Sequence, residues 1–485
     1  MEDIETGRNA AWREELRKAL SAKERAAIPR AKMTQLDPEY RIRNSEEVNR
    51  GLNADEAILE ASRCLDCPTP TCVEGCPVGI DIPGFIKNVQ RGDVKAAAAV
   101  LGRTSALPAV CGRVCPQERQ CESRCIYNKM KKEPVAIGYL ERFAADMARE
   151  NNLLPEDEIS EPNGIKVAVV GSGPAGLSFA GDMSRRGFEV HVFEALHEIG
   201  GVLKYGIPAF RLPNAIVDAE LDNLRRRGVQ FHADTVIGRT FGYEDILQMG
   251  FKGMFVASGA GLPRFMGIPG ENLIGVMSSN EYLTRINLMG AGTAGYDTPA
   301  PKGKRVAVIG GGNTAMDSVR TARRMGAEAM IIYRRSEAEM PARIEEVIHA
   351  KEEGVEFMTL CNPIEYKGDE KGRVKSVIVQ RMELGEPDAS GRRSPVPVEG
   401  AVEEIPVDLV IVSVGVSPNP LIPSSIDGLE VTKRGTLAVD ESLQTSIPVI
   451  YAGGDIVRGG ATVILAMGDG RQAAASMSKK LIENE

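Results

Sequence analysis

The sequence predicts a mixed α/β fold: an α-helical N-terminal domain followed by two domains built on parallel sheets. Three observations predict it. Residues 165–170 (IKVAVV) and 305–309 (RVAVI) are β-branched runs that each open a glycine turn before a helix, the strand–turn–helix unit that binds a dinucleotide. Residues up to about 150 are instead rich in Ala, Glu, Lys and Arg and carry helical signals, as at 53–63 and 138–149. Between them, 151–164 (NNLLPEDEISEPNG) joins prolines to acids with no apolar period, as a linker does. The expected domains are 1–150, helical; 151–285 with 416–485, Rossmann-like; and 286–415, Rossmann-like. Runs 251–259 (FKGMFVASG) and 407–415 (VDLVIVSVG) read as strands that close each domain, and 449–455 (VIYAGGD) as a strand returning to the first.

A chain of 485 residues suits this count, since a domain takes about 100–200 residues. Hydrophobic residues at 43% and charged residues at 26% exclude disorder. Lys+Arg 59 against Asp+Glu 67, a net charge of −8, argues against nucleic acid as the main partner. The first twenty residues hold acids and no apolar run, and nowhere do eighteen uncharged apolar residues follow one another. A cytoplasmic protein without a membrane span is expected. In that reducing compartment nine cysteines, eight of them between Cys64 and Cys125, point to metal or redox chemistry rather than disulfides.

The first turn, Gly171, Ser172, Gly173, Pro174, Ala175 and Gly176, supplies a tight bend, a backbone open to a pyrophosphate and close helix–strand packing. Glu194, ending the next strand, is placed to accept hydrogen bonds from a ribose. The second turn, Gly310, Gly311, Gly312, Asn313, Thr314 and Ala315, is followed by a strand that ends in Arg334 and Arg335. Two guanidiniums there suit a 2′-phosphate, so NADP(H) is expected over NAD(H), with Arg343 a weaker candidate for the same phosphate. Two nucleotides with different chemistry imply a held FAD and an exchangeable nicotinamide, between whose rings hydride passes without a catalytic side chain. Gly454 and Asp455 are candidates for the ribityl or pyrophosphate, and Ala461, Thr462 and Val463 begin a helix whose amides can face the flavin. Gly201, Leu203, Arg211 and Gly415 complete the candidate cofactor contacts.

Cys64, Cys67, Cys72 and Cys76, the last before Pro77, are spaced like a ferredoxin run, and Cys111, Cys115, Cys121 and Cys125 follow. Eight thiolates suffice for two 4Fe–4S clusters. Structural zinc is the competing reading, disfavoured because the first four lie so close together and proline follows two cysteines. Cys361 reads as an inert core residue. The first Rossmann-like domain lacks a paired-cysteine motif, so disulfide reduction is not expected.

Residues 63–67 (RCLDC), 75–78 (GCPV), 110–116 (VCGRVCP), 171–176 (GSGPAG) and 452–455 (AGGD) together resemble the small (β) subunit of NADPH-dependent glutamate synthase and its relatives. The resemblance implies a glutathione-reductase-like pair of FAD and NADPH domains behind a helical domain with two 4Fe–4S clusters. It implies one cluster on Cys64, Cys67, Cys72 and Cys125, a second on Cys76, Cys115, Cys121 and Glu141, and a spare thiol at Cys111. Counting cysteines alone makes all eight ligands and Glu141 a surface acid. Residues 37–41 (DPEYR), 44–48 (NSEEV) and 79–86 (GIDIPGFI) resemble a branch that includes the large subunit of electron-bifurcating NADH-dependent ferredoxin:NADP oxidoreductase. Position 2 is Glu2, not a glutaminase nucleophile, and no room remains for an FMN barrel. A hetero-oligomer is thus expected, the partner being a glutamate synthase large subunit or a flavin and 2Fe–2S subunit.

Overall fold

The structure, a computed structural model, describes residues 7–154, 159–389 and 391–483; Glu2 and part of the expected linker lie outside them. The helical domain comprises α1 (Ala11–Ala19), α2 (Ala54–Ser62), α3 (Ile82–Gln90), α4 (Val94–Gly102), α5 (Pro108–Val114) and α6 (Ile137–Glu150), with shorter turns between them. Side-chain caps start three of them: Asn53 and Glu56 form a reciprocal capping box on α2, and Asp81 and Asp93 cap α3 and α4. Helix α5 crosses α6 closely because Gly112 has no side chain; a Cβ there would stand 2.5 Å from the Arg142 nitrogen.

The first Rossmann-like domain is a parallel sheet of β1 (Lys166–Val170), β2 (Glu189–Phe193), β3 (Gln230–His232), β4 (Phe251–Val256) and, from the far end of the chain, Ile450–Ala452. Its order is Ile450–Ala452, β4, β1, β2, β3, so the last strand of the chain pairs with β4 in this sheet. Helix α7 (Pro174–Arg185) follows β1, and α8 (Asn214–Arg226) precedes β3. The second sheet contains β5 (Val276–Ser278), β6 (Arg305–Ile309), β7 (Glu328–Tyr333), β8 (Glu356–Thr359) and Leu409–Val412, with α9 (Ser279–Leu283), α10 (Asn313–Arg324) and α11 (Ile344–Glu352) around it. Strand β5 pairs with Leu409–Val412 in this second sheet, so the expected boundary at 286 falls too late. Leu262–Pro263 pairs antiparallel with Val416–Ser417 where the chain passes between the two domains in both directions.

Two features were not anticipated. A three-stranded antiparallel sheet, β9 (Cys361–Gly368), β10 (Val374–Pro387) and β11 (Arg393–Pro406), projects from the second domain as a long hairpin. The helical domain also shares a single apolar core with the first domain: Phe85, Leu101, Val110 and Leu140 pack in one cluster with Leu177, Phe179, Met467 and Ala474. The second sheet has its own core on each face. Among the described residues no helix is long and apolar enough to cross a membrane.

Candidate functional site

The first glycine turn is shaped by backbone contacts that no side chain would permit. Gly171 sits at φ +102, and a Cβ on it would come within 2.5 Å of the Ala257 oxygen; one on Gly176 would reach 2.0 Å from the Gly171 oxygen. Gly173, by contrast, opens onto free space and is the cap of α7, so the helix amides face outward where a pyrophosphate would lie. Glu194 is buried beneath the turn and accepts from Ser172 N (2.9 Å), Ser172 Oγ (2.5 Å) and Leu196 N (3.0 Å). Ser172 Oγ in turn accepts from Gly200 N at 2.8 Å, which sets Gly201 (φ +54) and the buried Leu203 beside the turn.

The return segment closes this site. A Cβ on Gly454, at φ +75, would stand 3.0 Å from Ala175 Cβ, and Gly454 N donates to Asp469 at 2.8 Å. Burial pushes the Asp455 carboxyl up to about 6, and one of its oxygens accepts from Ala461 N at 3.1 Å. Thr462 Oγ1 accepts from Leu465 N at 3.3 Å and starts α12 (Val463–Glu483), which lies on α7 with Gly470 against the Ala175 oxygen. Tyr205, absent from the sequence candidates, belongs here: burial, with the charges of Asp455 and Glu194, pushes its phenol up to about 12. It lies four residues beyond Gly201, and no local pattern in the sequence singles it out.

The second turn repeats the scheme, Gly310 at φ +140 against the Ser413 oxygen, Gly312 capping α10 and Ala315 fully buried. Asn313 Oδ1 accepts from Arg343 N at 2.8 Å, which ties the loop before α11 to the turn and to its neighbour Thr314. The arginines divide. Arg334 is exposed, whereas Arg335 is buried, donating to the Arg393 oxygen at 2.8 Å and pairing with Asp388 at the hairpin tip. The expectations for Arg343 and Arg211 are corrected. Arg343 is buried against Glu345 (3.0 Å) and donates to the Arg113 oxygen at 2.6 Å; Arg211 is buried against Asp317 (2.7 Å) and Glu346 (3.2 Å). Both guanidiniums are spent on joining domains, because desolvating them requires fixed carboxylates. Gly415, at φ +110, lies in the connection between the domains, its oxygen accepting from Arg264 N at 3.0 Å. Another residue not anticipated is Arg119 of the helical domain, which donates to the oxygens of Met340, Pro341 and Ala342 beside the second turn.

The cysteines fall into two sets according to which side chains perturb one another. Burial raises the Cys67 and Cys72 thiols, and Cys64 and Cys125 raise them further. In the other set Cys121 is raised by burial and then by Glu122, Glu141 and Cys76, and Cys115 by Cys111, burial, Glu141 and Cys121. Burial pushes Cys76 up to about 11, with Glu141 a further cause. Glu141 is no surface acid: it is 5% exposed, burial and Glu220 push it up to about 8, and its Oε1 has no hydrogen-bond partner. A buried carboxylate oxygen without a partner among thiols fits a metal-cluster ligand. Cys111 is fully buried in the same set, with Sγ 3.4 Å from Met467 Sδ on α12. Among the described residues no three His, Cys, Asp or Glu side chains close on a single-ion site, whereas a cluster is held by thiolates spread around it.

Comparison with known proteins agrees with this architecture. Residues 41–153 match the family described as dihydropyrimidine dehydrogenase domain II, 4Fe–4S cluster, and residues 165–470 match the pyridine nucleotide-disulphide oxidoreductase family. The chain is 37% identical over 436 residues to the glutamate synthase (NADPH) small chain of Azospirillum brasilense, covering 88% of this chain and 90% of that one. It is 39% identical over 439 residues to the NADP(+)-dependent formate dehydrogenase subunit beta of Moorella thermoacetica, covering 85% of this chain and 60% of that one. FprA of Mycobacterium tuberculosis in complex with NADPH shares the fold, with a TM-score of 0.56 and 21% identity over 67% of this chain and 85% of that one. The chain therefore belongs to the glutamate synthase small-chain family, and it is a pyridine-nucleotide oxidoreductase with an iron–sulfur domain.

Proposed function

We propose that this chain is the electron-input subunit of a cytoplasmic, glutamate synthase-type complex, taking hydride from NADPH and delivering single electrons to a partner subunit. The observation that carries the proposal is the seat of the second cysteine set: Cys111 touches α12 through Met467, and the Pro77 oxygen beside Cys76 approaches Gly468 of α12. Gly171, Gly173, Gly176, Glu194, Gly454 and Asp455 would hold FAD, and the second turn with Arg334 would hold NADPH. Bound together, these cofactors and two 4Fe–4S clusters supply the conversion of a hydride into single electrons. Glu194 would orient a ribose, α7 and α10 would present amides to phosphates, and Arg334 would pair with the 2′-phosphate. Cys76, Cys115, Cys121 and Glu141 would hold an inner cluster beside α12. Cys64, Cys67, Cys72 and Cys125 would hold an outer one, three of whose cysteines are partly exposed.

The test is anaerobic: the purified protein should contain FAD and iron, and NADPH should bleach both absorbances. Retention of zinc in place of iron refutes the proposal. Glu141→Ala should leave FAD content and NADPH-driven flavin reduction near normal while making one cluster labile or shifted in its paramagnetic resonance spectrum, and Cys111→Ser should do neither. Loss of a cluster in Cys111→Ser, with Glu141→Ala silent, would assign all eight cysteines as ligands. The resemblance at residues 37–41 and 79–86 favours a second reading, the large subunit of a bifurcating transhydrogenase. Co-purification of a flavin and 2Fe–2S subunit, rather than an amidotransferase subunit, would establish it.

A further inference from the structure

The loop between Cys64 and Cys67 is gripped from outside the segment that matches the iron–sulfur family. Asp66, at φ +51 and fully buried, pairs through its two oxygens with Arg13 and with Arg17 (2.6 Å) of α1, and its backbone oxygen accepts from Arg8 at 2.9 Å. Buried Lys87 donates to the Cys64 oxygen at 2.6 Å, and buried Arg25 donates to the oxygens of Ser62 and Leu16. Arg91 lies 4.1 Å from the centre of the Trp12 ring on α1. Arg25 and Lys87 donate to neutral oxygens, and the buried Asp66 carboxylate is an anion near both, already shared with Arg13 and Arg17. The second cysteine set has the opposite company, Glu122, Glu141 and Glu220, with Arg30 paired to Glu122 at 2.7 Å.

We propose that Arg8, Arg13 and Arg17, fastened to Asp66, are positioning residues that hold the outer cluster at a higher potential than the inner one. The proposal rests on the reading that Cys64, Cys67, Cys72 and Cys125 hold that outer cluster. Adding an electron to a thiolate-bound cluster adds negative charge, which buried cations stabilise and buried carboxylates oppose. Burial keeps the effect from being screened by salt. Electrons that arrive by the α12 side then run downhill toward the partly exposed cysteines, and α1 sets the gradient.

The experiment is a redox titration of the as-purified holoprotein followed by paramagnetic resonance, with iron and sulfide content measured in each variant. Arg17→Gln, at a partly exposed position, should lower the reduced-to-oxidised ratio of one cluster about tenfold at fixed potential, a shift of about 59 mV for one electron. The other cluster should stay where it was, and Arg17→Lys should restore the shifted one. Arg13→Gln should shift the same signal further. Full iron content with neither signal moved, or with both moved equally, overturns the proposal. Cys67→Ser should abolish the signal that Arg17→Gln shifts; if that signal persists in Cys67→Ser, the ligand assignment fails and the arginine effect stands.

Discussion

The two nucleotide turns share a plan and differ in what surrounds them. The first is walled in: Glu194 already carries three donors, α12 crosses α7 at backbone contact, and the helical domain continues the same apolar core. Around the second, the charge is already engaged: Arg343 with the helical domain and Arg211 with Asp317 across domain joints, and Arg335 with the hairpin of its own domain. Arg334 is left exposed. On the proposed function, the same strand–turn–helix unit would serve a ligand that stays at the first turn and one that exchanges at the second, and the difference between them lies in packing rather than in the turn.

The strongest way to break this comparison is to fill each turn. Gly176→Val places atoms where even a Cβ would stand 2.0 Å from the Gly171 oxygen, and Gly310→Val does the same against the Ser413 oxygen at 2.3 Å. Each should cost about 3 kcal/mol or more locally. The first should yield protein without flavin after gel filtration; the second should keep its flavin and lose NADPH-driven reduction. Loss of flavin from both would show that the two turns are not separable.

Acid should loosen the second domain more than the first. His349 on α11 lies among Arg320, Glu346, Glu345 and Arg41, whose guanidinium donates to its backbone oxygen, and burial is the main reason its imidazole falls to about 4. A folded-state value below the unfolded one of about 6.5 means that the unfolded chain binds the extra proton. The stability contribution is complete above pH 6.5 and is lost as pH falls toward 4, by roughly 3 kcal/mol at most. The unfolding midpoint of the wild type should therefore drop across that window more steeply than that of His349→Gln. Parallel curves would remove His349 as the cause.

The smallest effect sharpens the coenzyme assignment. Arg334→Ala should reduce kcat/KM about tenfold with NADPH and leave NADH use unchanged, the 1–2 kcal/mol of an exposed charge-assisted hydrogen bond. Arg335→Ala should instead lower stability by freeing the hairpin tip at Asp388 and Arg393. If Arg335→Ala carries the NADPH preference and Arg334→Ala does not, the hairpin opens when coenzyme binds.

Strands and glycine turns were legible because each is a local pattern with its own backbone chemistry, whereas the cysteine sets exchange Cys76 and Cys125 between the two runs and came only from the resemblance. What sequence could not show was who pairs with whom. Arg335 reads as a phosphate ligand until Asp388 is found beside it, and Arg211 as a cofactor contact until Asp317 is. Val276–Ser278 was left in the wrong domain because a three-residue strand has no periodicity to read, only a partner in Leu409–Val412. Resemblance alone singled out Glu141; its burial near the second cysteine set is a tertiary fact.

The crossing of α12 over α7 has a consequence for the order of assembly in time. Ser178 Oγ donates to the Met467 oxygen, 289 residues further along, and Cys111 meets the same methionine. During synthesis the helical domain and the first turn must wait, half-covered, until residues beyond Val463 emerge. Leu177 and Val110, which share their apolar core with Met467, are therefore completed as a packed surface only once α12 has been made.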